Sequence, residues 1–246
     1  MDFIRKFFQK IPGYLFGFGG ASVGFLGTLV AVIWHGYVEK LDIFNFWISN
    51  LGAGPDFGAN PVGSEIVFNY SIFAAGCLLI IFHVYLLQKV WDRDNMKRNI
   101  PGIIAFVFGI SSCAGMGVVT IWDMFESPTH HVIGAFLFFI PAVLYAIFWT
   151  VALRISGEKS KAELVLMIVL VFMFAVFLIV GYISGTAYGL VPSELTMSDM
   201  IEFMSSMDPT VNPVRFMEWI TLPIVFIWIM WTCIFQYMEI HFKRIK

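Results

Sequence analysis

Six apolar runs, each long enough to cross a bilayer as a helix, leave this chain little else to fold. They cover residues 14–37, 66–90, 100–122, 132–153, 164–184 and 216–237. A membrane helix needs about 20 mostly apolar residues to traverse a hydrocarbon core about 30 Å thick. In that solvent a spanning segment must satisfy its own backbone polar groups, so runs of this length predict helices. The connections carry a second signal. Arg5, Lys6, Lys10, Lys89, Arg93, Lys97, Arg98, Arg154, Lys159, Lys161, Lys243, Arg244 and Lys246 all fall on one side, and only Lys40 and Arg215 on the other. By the positive-inside rule both termini are cytoplasmic and three connections face out.

Composition narrows the class. Apolar residues make up 59% of the chain and charged residues 13%, against about 45–50% and about 25% in soluble domains. The expected architecture is one all-α polytopic domain over residues 1–246 with six transmembrane helices. A short interfacial segment at 1–12 and outer loops at 38–65 and 186–215 complete it. Within the first segment, residues 3–11 mix Ile4, Phe7 and Phe8 with Arg5, Lys6 and Lys10, which predicts an interfacial helix. The first apolar run is too long for a cleaved leader and reads as a retained span. Eleven of the 17 acidic residues lie on the outer side, and the basic face suits anionic lipid rather than nucleic acid. The protein is expected in a membrane, with nothing to select plasma from organelle membrane.

Small residues mark the helix contacts, because packing in lipid relies on close approach. Gly20, Ala21, Gly24, Gly27 and Ala31 form such a face on the first span. Gly109, Cys113 and Gly117 are four apart on the third, and Gly181, Gly185 and Gly189 four apart at the end of the fifth. Cys77, Cys113 and Cys233 lie in three different spans and are read as small buried packing residues. Pro141 and Pro223 fall inside spans, where neighbours can satisfy the freed carbonyl. Residues 44–52 read as a re-entrant or interfacial turn, and 198–207 as a short amphipathic helix.

Groups able to do chemistry gather at the outer ends of the spans. Ser49, Asn50, Glu65 and Asn69 flank the second, Asp123 ends the third, His130 and His131 open the fourth, and Glu218 with Trp219 opens the sixth. Ionisable side chains near a membrane core are costly unless paired or wet, so several at one depth point to a shared polar pocket. Ser49, Asn50, Asn69, His130 and Trp219 are its candidate ligand contacts. Asp123, His131 and Glu218 are its candidate catalytic or metal-ligating set, and zinc is the metal that set would take. No HExxH or CxxC fixes a metal geometry here. The plainer reading has Asp123 capping, His131 donating to it, and Glu218 favouring a helix dipole. A haem would need facing histidines, and His35 with His130 or His131 is the only set at one depth, so haem is disfavoured. The spans lack the polar rings of a channel and the mid-membrane carboxylates of a pump.

The same residues carry a resemblance. Trp47-Ile48-Ser49-Asn50-Leu51-Gly52 followed by Phe68-Asn69 resembles the I-S-(D/N)-x-G…F opening of the DRAM/FRAG/Sfk-type six-helix membrane proteins. It is equally similar to a prokaryotic six-helix family of unknown function. The stretch from His131 to Phe139 is similar to that group's H-x-x-G-A-x-x-x-F, and Glu218-Trp219 to its E-W. Asn50 stands where Asp is commoner, and the third outer loop is longer than expected. The resemblance implies a role in lipid remodelling, lipid-anchor maturation or autophagy-associated membranes.

Two functional readings follow. In the first, the chain binds lipid, or a membrane-protein partner, through an outer-face polar pocket. In the second, it is an intramembrane lipid hydrolase or transferase, metal-dependent or not, using His131, Asp123 and Glu218. The topology itself is testable: cysteines introduced as Asp56→Cys and Asp199→Cys should react with an impermeant thiol reagent outside intact cells. Asn95→Cys and Lys159→Cys should not, and labelling at Asn95 would reverse the assignment.

Overall fold

The six apolar runs become six long helices whose ends fall within a few residues of the runs. The structure, a computed structural model, describes residues 2–38, 48–53, 63–92, 96–122, 127–156, 161–187 and 213–242. Among them are α1 (Asp2–Lys10), α2 (Gly13–Val38), α3 (Ser64–Val90), α4 (Met96–Ile121), α5 (Pro128–Ile155), α6 (Lys161–Ala187) and α7 (Pro213–Phe242). A short 3-10 turn, Ile48–Gly52, lies between α2 and α3. Among the described residues five helices are long and apolar enough to cross a membrane, over Gly13–Val38, Ser64–Val90, Asn99–Ile121, Thr129–Ile155 and Met217–Met238. On α6 the described apolar stretch is shorter, Leu164–Phe177. Leu26 and Ile33 on α2, and Val165 and Phe172 on α6, are exposed. An apolar surface of this kind belongs in lipid. The fold is an all-helical polytopic membrane protein.

The long helices pack in chain order. α2 lies on α3, α3 on α4, α4 on α5 and α6 on α7, and α7 returns to α2; a slighter contact of α5 with α6 closes the ring. Chain neighbours are antiparallel: a Cβ on Gly13 would run into Tyr85, and one on Gly27 into Ser71. Phe82, Trp149, Leu170, Phe226 and Trp228 are fully buried in the core. Several hydroxyls inside the spans satisfy themselves locally. Thr28, Ser71, Thr150, Thr221 and Thr232 each donate to the carbonyl four residues back, at 2.6–3.1 Å. That pattern lets a polar side chain sit in a span without an interhelical partner.

The small face expected on α2 is used. Gly20, Ala21, Gly24 and Ala31 are buried, and a Cβ on Gly24 would lie 2.5 Å from the Phe226 ring of α7. On α4 the expected ladder is corrected. Gly109 lies against His83 and Cys113 is buried, but nothing lies within 4 Å of a Cβ built on Gly117. Gly115 instead meets the α5 backbone at Leu137 and Phe138. The reason is that α4 has two neighbours: one face of small residues serves α3 and another serves α5. The cysteine reading is corrected once as well. None of the three is in a disulfide, and Cys113 and Cys233 are buried, but Cys77 is exposed on the outside of the ring. The surroundings of Gly181 and Gly185, residue Gly189, and the helix expected at 198–207 lie outside what is described.

At the basic end Asn99, fully buried, ties the α3–α4 connection. Its Oδ1 accepts from the Asp92 N–H at 2.8 Å, and its Nδ2 donates to the Asp92 carbonyl at 2.7 Å. The short helix expected at 3–11 is α1, which folds back on the bundle. Phe7 stacks on Phe16 at 5.9 Å, and Phe8 meets Tyr85 edge-on at 5.2 Å.

The two α4 glycines separate packing from propensity. Gly115→Ala pushes a methyl into backbone and should lower stability by about 1–3 kcal/mol, as overpacking does. Gly117→Ala meets nothing and should be neutral or gain up to about 1 kcal/mol of helix propensity. Thermal unfolding in detergent compares them, and equal losses would refute the assigned α4–α5 contact.

Candidate functional site

One end of the ring holds the 3-10 turn, and there the last helix buries a carboxylate. Glu218 lies one turn into α7, is 5% exposed, and falls inside the apolar span Met217–Met238. Such a group needs partners. Its Oε2 accepts the Ile48 N–H at 3.0 Å, and the Ser49 N–H and hydroxyl donate to the same carboxylate. The first N–H groups of any helical turn lack intrahelical acceptors, and an anion is their natural partner. The turn reaches this place because its apolar side chains are driven inward: Ile48, Leu51 and Ala53 are all buried.

The far end of the turn is tied to α3. Asn69 donates from Nδ2 to the Gly52 carbonyl at 2.9 Å. Gly52 packs so closely on the Asn69 side chain that a Cβ would collide with its Oδ1. Within the turn, Ala53 N–H donates to the Asn50 carbonyl at 3.0 Å, and Asn50 is half-buried. Five residues thus join α7 to α3 through hydrogen bonds at both ends.

Beneath the turn lies a cleft between α3, α4, α5 and α7. Its walls include Phe68, Ile72, Met116, Val119, Ala135, Phe138, Phe139 and Leu222, and its polar rim is Ser49 and Glu218. The enclosed part is about 30 Å³, and with its mouth the cleft spans about 400 Å³.

The other candidates sit at the same end in separate arrangements. His131 is buried, with Nδ1 2.9 Å from the Trp122 carbonyl at the end of α4. A carbonyl only accepts, so Nδ1 carries the proton in that bond. His130 is exposed; its ring stacks on Trp122 at 5.0 Å, and its Nδ1 is 2.6 Å from the Ser127 hydroxyl. Trp219 is half-buried against the core. Asp123 lies outside the described residues. Of the expected pocket residues, Ser49 and Glu218 line the cleft, whereas Asn50, Asn69, His130, His131 and Trp219 do not. No group of three or more His, Cys, Asp or Glu close enough to hold a metal occurs among the described residues, a set that omits Asp123. Sequence reasoning placed Ser49 and Glu218 in one pocket but missed that they bond each other and that the Ile48 amide joins them.

A family model described as Frag1/DRAM/Sfk1/Cwh43P N-terminal domain matches residues 13–244, a stretch that contains the turn, the cleft and all seven described site candidates. No curated protein and no solved structure matches the chain.

Removing the carboxylate tests the clamp. Glu218→Ala orphans two backbone donors in a buried turn, and an unsatisfied buried group costs about 1–3 kcal/mol. Ser49→Ala removes one donor and leaves the amide bonds, so about 0.5–1.5 kcal/mol is expected. Unfolding temperature and hydrogen exchange at residues 48–53 report both. A Glu218→Ala protein of native stability, with no faster exchange in the turn, would refute the clamp.

Proposed function

The chain belongs to the Frag1/DRAM/Sfk1/Cwh43P family, and we propose that it binds a membrane lipid through the cleft beneath the turn. In this reading the chain crosses the membrane six times, both termini are cytoplasmic, and the cleft opens toward the outer or lumenal leaflet. The observation that carries the reading is the cleft itself, with long apolar walls and one polar rim of Ser49 and Glu218. Walls of Phe, Ile, Val and Leu suit an acyl or prenyl chain. The rim selects the head. A carboxylate offers about four acceptor positions, and three are used by Ile48 and Ser49. What remains suits a single donor, the ammonium or hydroxyl of a headgroup.

The enzyme reading gives His131, Asp123 and Glu218 chemical roles. The binding reading gives Glu218 a holding role and makes the cleft the functional element. One experiment addresses both. Protein in vesicles is photocrosslinked to phosphatidylethanolamine or phosphatidylcholine bearing a photoactivatable acyl chain. Ethanolamine lipid, which has donors, should crosslink to cleft residues in clear preference to choline lipid, which has none. Ala135→Trp or Val119→Trp, whichever retains native thermal stability, should cut that crosslinking at least tenfold. Equal crosslinking of filled and native clefts would refute lipid binding there. A cleaved lipid product that disappears in His131→Ala would favour the enzyme reading instead.

A further inference from the structure

We infer that a second cavity, inside the ring, is a hydrated site for a water-sized hydrogen-bonding ligand, entered from the cleft past Met116 and Phe138. It lies between α3, α4, α5 and α7, and its lining includes His83, Ser112, Cys113, Tyr145 and Trp228. Its volume of about 10 Å³ is close to the roughly 10–15 Å³ that a single water requires. His83 is 3% exposed and Trp228 2%, and neither His83 Nδ1 nor Trp228 Nε1 has a hydrogen-bond partner among the described residues. Buried polar atoms of this kind are usually satisfied by protein or by ordered water.

The rings around the cavity are fixed by their packing on one another. The His83 ring is held edge-on to Tyr145 at 4.5 Å, and Tyr145 edge-on to Trp228 at 5.2 Å. On the other side stands Gly109, where even a Cβ would come 2.5 Å from Nδ1. No α4 side chain therefore supplies the missing bond at that position. The Ser112 hydroxyl donates to the Phe138 carbonyl at 3.0 Å and keeps acceptor capacity. A ligand here has to bond an imidazole nitrogen, as donor or acceptor according to the tautomer, and accept from an indole N–H. Water does both. The route is set by two side chains, because Met116 and Phe138 line this cavity and the cleft alike. An unbranched Met with three rotatable bonds is an easily moved partition.

Cys113 is a built-in reporter, since its side chain lines the inner cavity. Detergent-solubilised full-length protein carrying Cys77→Ala and Cys233→Ala is exposed to Ag⁺, a small thiol-reactive probe. It is then unfolded, and the thiol that remains is alkylated with a maleimide. In the native fold Ag⁺ should protect Cys113. Phe138→Ala, or Met116→Ala if that variant alone remains folded, should speed protection at least tenfold. Filling the cleft by Ala135→Trp or Val119→Trp should slow it at least tenfold, with thermal unfolding confirming that each variant is folded. Full alkylation of Cys113 after Ag⁺ would mean a dry, closed void and would overturn the proposal. Protection at the same rate in the opened and filled variants would overturn the route through the cleft.

Discussion

The carboxylate of Glu218 and the first amides of the 48–52 turn depend on each other. Without the carboxylate the turn would carry orphan donors into a buried place, and without the turn α7 would carry an unpartnered acid in an apolar span. Each group is costly alone and is compensated by the other, which is the condition for keeping polar atoms at membrane depth. The arrangement at the turn's far end follows, since Asn69 can reach the Gly52 carbonyl only if the turn is held down. The cleft owes its roof and its polar rim of Ser49 and Glu218 to the same bonds.

Two ways of hiding polarity therefore coexist in this bundle. Most threonines within spans return their hydroxyls to their own helix, and these contacts tie no elements together. Glu218, Asn69, Asn99 and Ser112 reach across chain connections or between helices. They lie at the two ends and near the centre, where the ring needs fixed geometry. Apolar packing fills the space between them.

The architecture was legible because lipid leaves few alternatives. A run of some 20 apolar residues has to be a helix, and its length shows without knowledge of its neighbours. Packing was legible in part. The small face of α2 could be read because Gly20, Ala21, Gly24 and Ala31 crowd one arc of the helix, while the steps of four on α4 misdirected attention to Gly117. Gly115 was missed because a helix with two partners carries two overlapping patterns. Cys77 and Cys113 look alike in sequence, yet one faces outward and the other inward. At the end that holds the turn, Ser49 and Glu218 could be placed near each other by their shared depth. Two of the three bonds that link them come from backbone N–H groups, which every residue but proline possesses and which no composition can reveal. His131 was legible as a residue of the same end, but its partner, the Trp122 carbonyl, is backbone again.

The seams of the ring are unequal. α4 and α5 lie backbone to backbone at Gly115 and Gly134, where added side-chain atoms would collide. α5 and α6 touch more slightly, through ring contacts such as Phe139 with Phe177 at 6.0 Å. Local opening is easiest where the fewest buried contacts must break, and among the described residues the α5–α6 seam is the slightest between consecutive long helices. Were α6 to swing on its packing against α7, the wall uncovered would be Phe139, which also lines the cleft. A hydrophobic molecule arriving sideways from the bilayer would then meet the interior without ever entering water.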